Sequence, residues 1–202
     1  MNYSIRIVAF VLFFAIVSES RSQTAFGLKG GINFTNFNVA DAQGTYDSRT
    51  GYHAGFFLRE KFNKVAFQPE LLLFTQNNVI ENYQGYYKVT QRFTYVSVPL
   101  MFKFYPIWGL NMQVGPQFGF LVDGQRKTDT PLGTSTEDIK DYYKQSDVSI
   151  SSGIGYDFKF GLGVDVRYNI GLRDVNNASN GETAKSQVFL FRVNHNYLSS
   201  KH

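Results

Sequence analysis

Apolar and polar residues alternate along eight segments of this chain, and the connections between them alternate between long and short. In Gly161–Leu172, Leu162, Val164, Val166, Tyr168, Ile170 and Leu172 share one parity, and Gly163, Asp165, Arg167, Asn169 and Gly171 the other. Successive side chains of a strand point to opposite faces, so the segment is a two-faced strand. The same reading predicts strands over Ala25–Thr35, Gly51–Lys61, Val65–Gln76, Phe93–Tyr105, Gly109–Val122, Ser146–Tyr156 and Ser186–Leu198. Leu72 and Phe74 blur the third of these. Pro69, Pro99 and Pro116 fall inside strands, where a missing N–H predicts a bulge at each.

Polar stretches Asn36–Thr50, Asn77–Arg92, Asp123–Gln145 and Arg173–Lys185 read as long loops. Short turns are predicted at Phe62-Asn63-Lys64, Pro106-Ile107-Trp108 and Asp157–Phe160. Long and short connections then fall on opposite ends, as in barrels with short periplasmic turns and longer extracellular loops.

A soluble lipocalin-type barrel has the same period with its apolar face inside. Side-chain size separates the two. The polar parity is small and glycine-rich, which suits the crowded interior of an eight-stranded barrel. The apolar parity is bulky and free of charge at its mid-strand positions. A cation at the lipid midplane costs roughly 2–4 kcal/mol, so a charge-free bulky face is what lipid demands. Aromatic residues near the strand ends fit interfacial girdles: Phe62, Phe104, Tyr105, Trp108, Phe158 and Phe160 by the turns, Phe34, Phe37, Tyr52, Phe93 and Phe120 by the loops. The expected fold is an all-β, eight-stranded antiparallel up-and-down transmembrane β-barrel.

The first residues set the compartment. Arg6, the apolar run Ile7–Val17 and the small residues of Ser20-Arg21-Ser22 have the layout of a cleavable signal peptide over residues 1–22, with Gln23 as the first mature residue. The barrel domain is then 23–198, followed by a short tail, 199–202. The absence of cysteine excludes a lipid-modified N-terminal Cys and any disulfide framework. Without the leader, 18 Lys+Arg (20 − 2) face 15 Asp+Glu (16 − 1), a balance of about +3 too mild and scattered for nucleic acid. The expected location is the outer membrane, with its lipid as one partner.

Several segments resemble the PorT-like family of outer-membrane barrels: Gly27-Leu28-Lys29-Gly30-Gly31, Gln68-Pro69-Glu70-Leu71-Leu72, Tyr95-Val96-Ser97-Val98-Pro99-Leu100 and Arg167-Tyr168-Asn169-Ile170-Gly171-Leu172. The resemblance covers roughly 25–198. It implies an eight-stranded barrel in a Gram-negative outer membrane, in a family whose namesake is linked to type IX secretion. Such barrels usually finish on an aromatic residue, whereas here Tyr197-Leu198 precedes Ser199–His202.

The candidate chemistry is a set of inward charges: Lys29, His53, Arg59, Glu70, Lys103, Asp147, Asp165, Arg167 and Arg192. As a lumen charge network, Lys29, Arg59, Glu70, Lys103, Asp165, Arg167 and Arg192 would fill the barrel, because buried charges must be paired. With strand order following the sequence, Glu70 is expected beside Arg59 and Lys103, and Asp165 beside Arg192. His53, His195 and His202 lack ligand spacing, so no metal, cofactor or catalytic residue is predicted and the chain is not expected to be an enzyme. The loops are the expected contact surface for protein partners, with Tyr83, Tyr86, Tyr87, Asp141, Tyr142 and Tyr143 as candidate contacts. A structural or interaction scaffold is the expected role, and a small-solute channel is the alternative.

Overall fold

Alternation puts one face of every strand toward lipid and the other toward the interior. A strand in lipid must also pair on both edges, because no water is available to satisfy its backbone. The protein meets both demands in a computed structural model that describes residues 23–38, 46–48, 50–81, 88–142, 145–172 and 185–199. Eight long strands form the wall: β1 (Gln23–Asn38), β3 (Thr50–Phe62), β4 (Val65–Glu81), β5 (Lys88–Phe104), β6 (Leu110–Thr130), β8 (Ser146–Asp157), β9 (Leu162–Gly171) and β10 (Lys185–Ser199). Two short ones, β2 (Tyr46–Ser48) and β7 (Gly133–Asp138), pair with the far ends of β4 and β6.

Each wall strand pairs antiparallel with its neighbour in the chain, and β1 pairs with β10 from Ala25↔Ser199 to Asn38↔Lys185. The ring is therefore closed, and no edge of the wall is left open. The short connections lie at one end and the long connections at the other, as the sequence predicts. Among the described residues no helix is long and apolar enough to cross a membrane.

Three of the predicted loops carry β-structure. Asn77–Arg92 is largely ladder, since β4 and β5 pair from Asn77↔Arg92 out to Glu81↔Lys88. Asp123–Gln145 begins as the outer part of β6, turns back as β7, and ends in a 3-10 helix, Lys140–Tyr142. Within Asn36–Thr50, β1 continues to Asn38 and β2 follows. Threonine and charged residues suit both a solvated strand and a loop, so composition alone misread these segments. Ser199, assigned to a tail, is the last residue of β10, while residues 200–202 and the predicted signal peptide lie outside the described residues.

No bulge forms at the prolines. The β3–β4 ladder breaks beside Pro69, between Phe57↔Glu70 and Glu60↔Phe67, and resumes in the same register. The β4–β5 ladder breaks beside Pro99, and the β5–β6 ladder beside Pro116, again without a shift. Each proline stays paired on its other side: Pro69↔Leu100, Pro99↔Gln117 and Pro116↔Ile150. In an antiparallel sheet a residue's N–H and C=O point to the same neighbour, so a missing donor affects one ladder only. The register shifts lie elsewhere, between Thr94 and Tyr95 in the β5–β6 ladder and between Phe26 and Gly27 in the β1–β10 ladder.

The outward parity carries Leu28, Phe56, Leu71, Leu73, Phe102, Val114, Ile154, Val166 and Phe191, all exposed. Two predicted girdle residues turn inward instead: Tyr105 and Phe93 are buried. Leu72 and Phe74, which blur the alternation, are also buried inside. Inward glycines let the wall curve tightly. A Cβ at Gly31 would collide with the Phe191 carbonyl, and one at Gly55 with the Leu71 carbonyl.

Candidate functional site

The interior of an eight-stranded barrel is just wide enough for side chains to fill it. Here it is filled in layers. The middle layer is ionic. Glu70 on β4 receives Lys29 Nζ from β1 at 2.9 Å, the two terminal nitrogens of Arg167 from β9, and Arg192 Nη1 from β10 at 3.5 Å. Asp165 on β9 takes Arg192 Nε at 2.8 Å and Lys29 Nζ at 3.2 Å, and lies 3.4 Å from Arg167 Nε. Arg167 Nε also donates to Gln113 Oε1 at 2.9 Å. All five charged side chains are buried. They form one cluster of three cations and two carboxylates.

A second cluster lies nearer the short-turn end. Asp157 is held by Arg59 Nη1 at 3.1 Å, Lys103 Nζ at 3.5 Å, the Tyr105 hydroxyl at 2.8 Å and Asn111 Nδ2 at 3.2 Å. Gln68 joins the two layers: its Oε1 accepts from Arg59 Nε at 2.6 Å and its Nε2 donates to Glu70 Oε1 at 2.6 Å. Phe57 is wedged between the layers, 5.6 Å from Lys29 Nζ and 5.2 Å from Arg59 Cζ, where its ring face meets both cations.

The seven predicted network residues thus share one interior, but the predicted pairing of Glu70 does not form. The β3–β4 register sets Phe57, not Arg59, opposite Glu70, and the β4–β5 register sets Lys103 opposite Ala66. Arg59 and Lys103 therefore sit lower and meet Asp157. Arg192 does meet Asp165, its direct ladder partner. Asp157, within the predicted turn Asp157–Phe160, instead ends β8 and continues the inward parity of Ser151, Gly153 and Gly155. His53 lies above the ionic layer, with Nδ1 3.4 Å from Asn33 Oδ1.

The long-loop end is closed by carbon. Phe74, Phe93, Tyr95, Leu121, Val188 and Leu190 turn inward around Ile139, which is completely buried. Ile139 comes from the segment after β7, folded back over the mouth and tied by Ile139 N–H to the Gly124 carbonyl at 2.9 Å. The Gln145 carbonyl accepts from Leu121 N–H at 2.9 Å. Gly124 allows this approach, because a Cβ there would stand 3.2 Å from the Lys140 backbone. The sequence signal is weak, since the polar stretch Asp123–Gln145 holds two aliphatic residues and the other, Leu132, is fully exposed.

Of the candidate contacts, Asp141 is exposed and Tyr142 closes the 3-10 helix. Tyr83, Tyr86, Tyr87 and Tyr143 lie outside the described residues. Among the described residues no group of three or more His, Cys, Asp or Glu side chains could hold a metal ion.

Residues 18–177 match the family model of the outer membrane protein β-barrel domain, and the chain belongs to that family. Neisserial surface protein A superposes with a TM-score of 0.56 at 10% identity, over 85% of this chain and 97% of that one. Ail, the attachment invasion locus protein of Yersinia pestis, gives a TM-score of 0.52 at 9% identity, over 87% of this chain and 99% of that one. At such identities the likeness concerns the fold, that of eight-stranded outer-membrane barrels. No curated protein matches the sequence significantly.

Proposed function

From its place in the outer-membrane barrel family, we propose that this protein is a closed, non-conducting and non-enzymatic barrel that works as an interaction scaffold. Its long-loop end faces the cell exterior and its short turns face the periplasm. The observation that carries this reading is the double closure of the lumen. An ionic layer around Glu70 and Asp165 fills the middle, and an apolar cap around Ile139 fills the mouth. A path for solute would have to break both.

The surface left for function is the loop end, where β2, the outer parts of β4, β5 and β6, and β7 extend the sheet beyond the wall. Loops on a rigid frame are where binding residues concentrate. Protein partners engaged there, at Asp141 and the tyrosines of 82–87 and 142–143, are the expected ligands. The PorT-like segments favour a secretion-associated partner. Residues 1–22 act as the export signal, so the mature protein from the outer membrane should begin near Gln23.

The test is electrical and biochemical together. Purified protein in planar bilayers should give no stable single-channel currents, and affinity capture from its own outer membrane should recover a partner that is lost when 82–87 is replaced by Gly-Ser. Stable unitary currents from the wild type would overturn the scaffold reading in favour of a small-solute channel.

A further inference from the structure

The bilayer-facing wall is not uniformly bulky. Val193, Gly30, Ala54, Leu73 and Val96 are successive ladder partners across β10, β1, β3, β4 and β5, all on the outward parity. The row below them holds His195, Leu28, Phe56 and Leu71. The row above holds Phe191, Ile32 and Tyr52. Gly30 has no side chain and Ala54 only a methyl between these rows, and the wall sinks into a groove of about 700 Å3.

The backbone does not require this depression. A Cβ at Gly30 would meet only the His53 carbonyl oxygen, at an ordinary 3.6 Å, unlike the collisions at Gly31 and Gly55. The groove is also slanted. At one end His195 pairs with Leu162, the first residue of β9, beside the short turn where Asn196 N–H meets the Gly161 carbonyl at 2.9 Å. At the other end Val96 lies midway along β5. Four strand spacings separate the ends, about 19 Å along the curved and slanted wall, a contour that one fatty-acyl chain covers by bending round the barrel.

The two ends differ in chemistry. The upper end is aliphatic. The lower end carries His195, half-buried, whose ring meets Tyr197 edge-on at 4.8 Å and whose Nδ1 is buried against the wall without a hydrogen-bond partner in the protein. Amphipathic rings of this kind sit at headgroup level. A second copy of the chain fits poorly. An axis along the membrane normal would bring the same heights together, setting the hollow against Val193, Leu73 and Val96 with no large side chain to fill it.

We propose that this groove holds one acyl chain of a phospholipid from the periplasmic leaflet, with the phosphate headgroup beside His195 and Tyr197. The assignment of leaflet rests on the orientation given above. The probe is dioleoyl phosphatidylethanolamine added to the detergent-solubilised full chain, with retained lipid read by native mass spectrometry. Wild type should keep one phospholipid. Gly30→Leu combined with Ala54→Leu should fill the hollow and lower retention by about tenfold or more, as expected when a few methylenes lose contact. Val114→Leu, on the β6 wall, should change nothing. His195→Ala should weaken phosphatidylethanolamine but not dioleoylglycerol, which has no phosphate; this arm stands even if the filled variant fails to fold. Equal retention by wild type and the filled variant would overturn the proposal, and so would a wild-type dimer that the filled variant abolishes. Preference for lipopolysaccharide would overturn the leaflet assignment along with the orientation it rests on.

Discussion

Arg167 and Glu70 lie 97 residues apart and form a two-point ion pair across the lumen. Their strands, β9 and β4, are four places apart in the ring in either direction, so the pair spans the barrel at its full width. Both side chains are completely buried. The wall is held by ladders between neighbours, and this pair ties opposite sides directly.

Removing one member of a buried pair strands the other charge. Glu70→Ala leaves Lys29, Arg167 and Arg192 with Asp165 alone, and should destabilise the barrel by about 3–5 kcal/mol, less where water enters. Urea unfolding in detergent micelles measures it. An unchanged midpoint would show that Glu70 is hydrated rather than paired.

Coupling between the two walls is a separate quantity. Glu70→Ala and Arg167→Met should be clearly non-additive, with the double variant more stable than the summed single losses by about 0.5–3 kcal/mol. Four unfolding curves close the cycle, and strict additivity would deny the contact.

The apolar cap is independent of the ionic layer. Ile139→Ala should cost about 2–5 kcal/mol if the segment stays docked, and Ile139→Asp should release it. Hydrogen exchange at the Ile139 amide, now bonded to Gly124, should accelerate strongly in Ile139→Asp. No conductance should appear, because the layer around Glu70 remains. Currents in that variant would mean that the cap alone seals the lumen.

Face assignment has its own check. Val166 is on the lipid side and exposed there, so Val166→Arg should cost roughly 2–4 kcal/mol. On a gel, unboiled and boiled wild type should migrate differently, and Val166→Arg should shift the transition to lower temperature. A variant that melts with the wild type would place Val166 away from lipid.

Alternation with period two is a local property, and it carried the architecture. The outward set from Leu28 to Phe191, the inward set from Lys29 to Arg192, the eight wall strands and the order of long and short connections were all readable from the chain. Wherever the pattern was interrupted, the reading depended on neighbours in space. Leu72 and Phe74 looked like noise, yet they line the interior. Asn77–Arg92 looked like a loop because solvated strands and loops share composition. The partners of Glu70 were decided by register, since a strand's inward residues are known from its sequence but their heights relative to other strands are not. Asp157 ends β8 and keeps its inward parity, so only its meeting with Arg59 and Lys103 needed the closed ring. Ile139 joined the interior only because a returning segment closes over the mouth. Local periodicity fixes which way a side chain points. Which side chains meet inside a lumen narrow enough to be spanned is set by the closed ring and the stagger of its strands, and those belong to the tertiary structure alone.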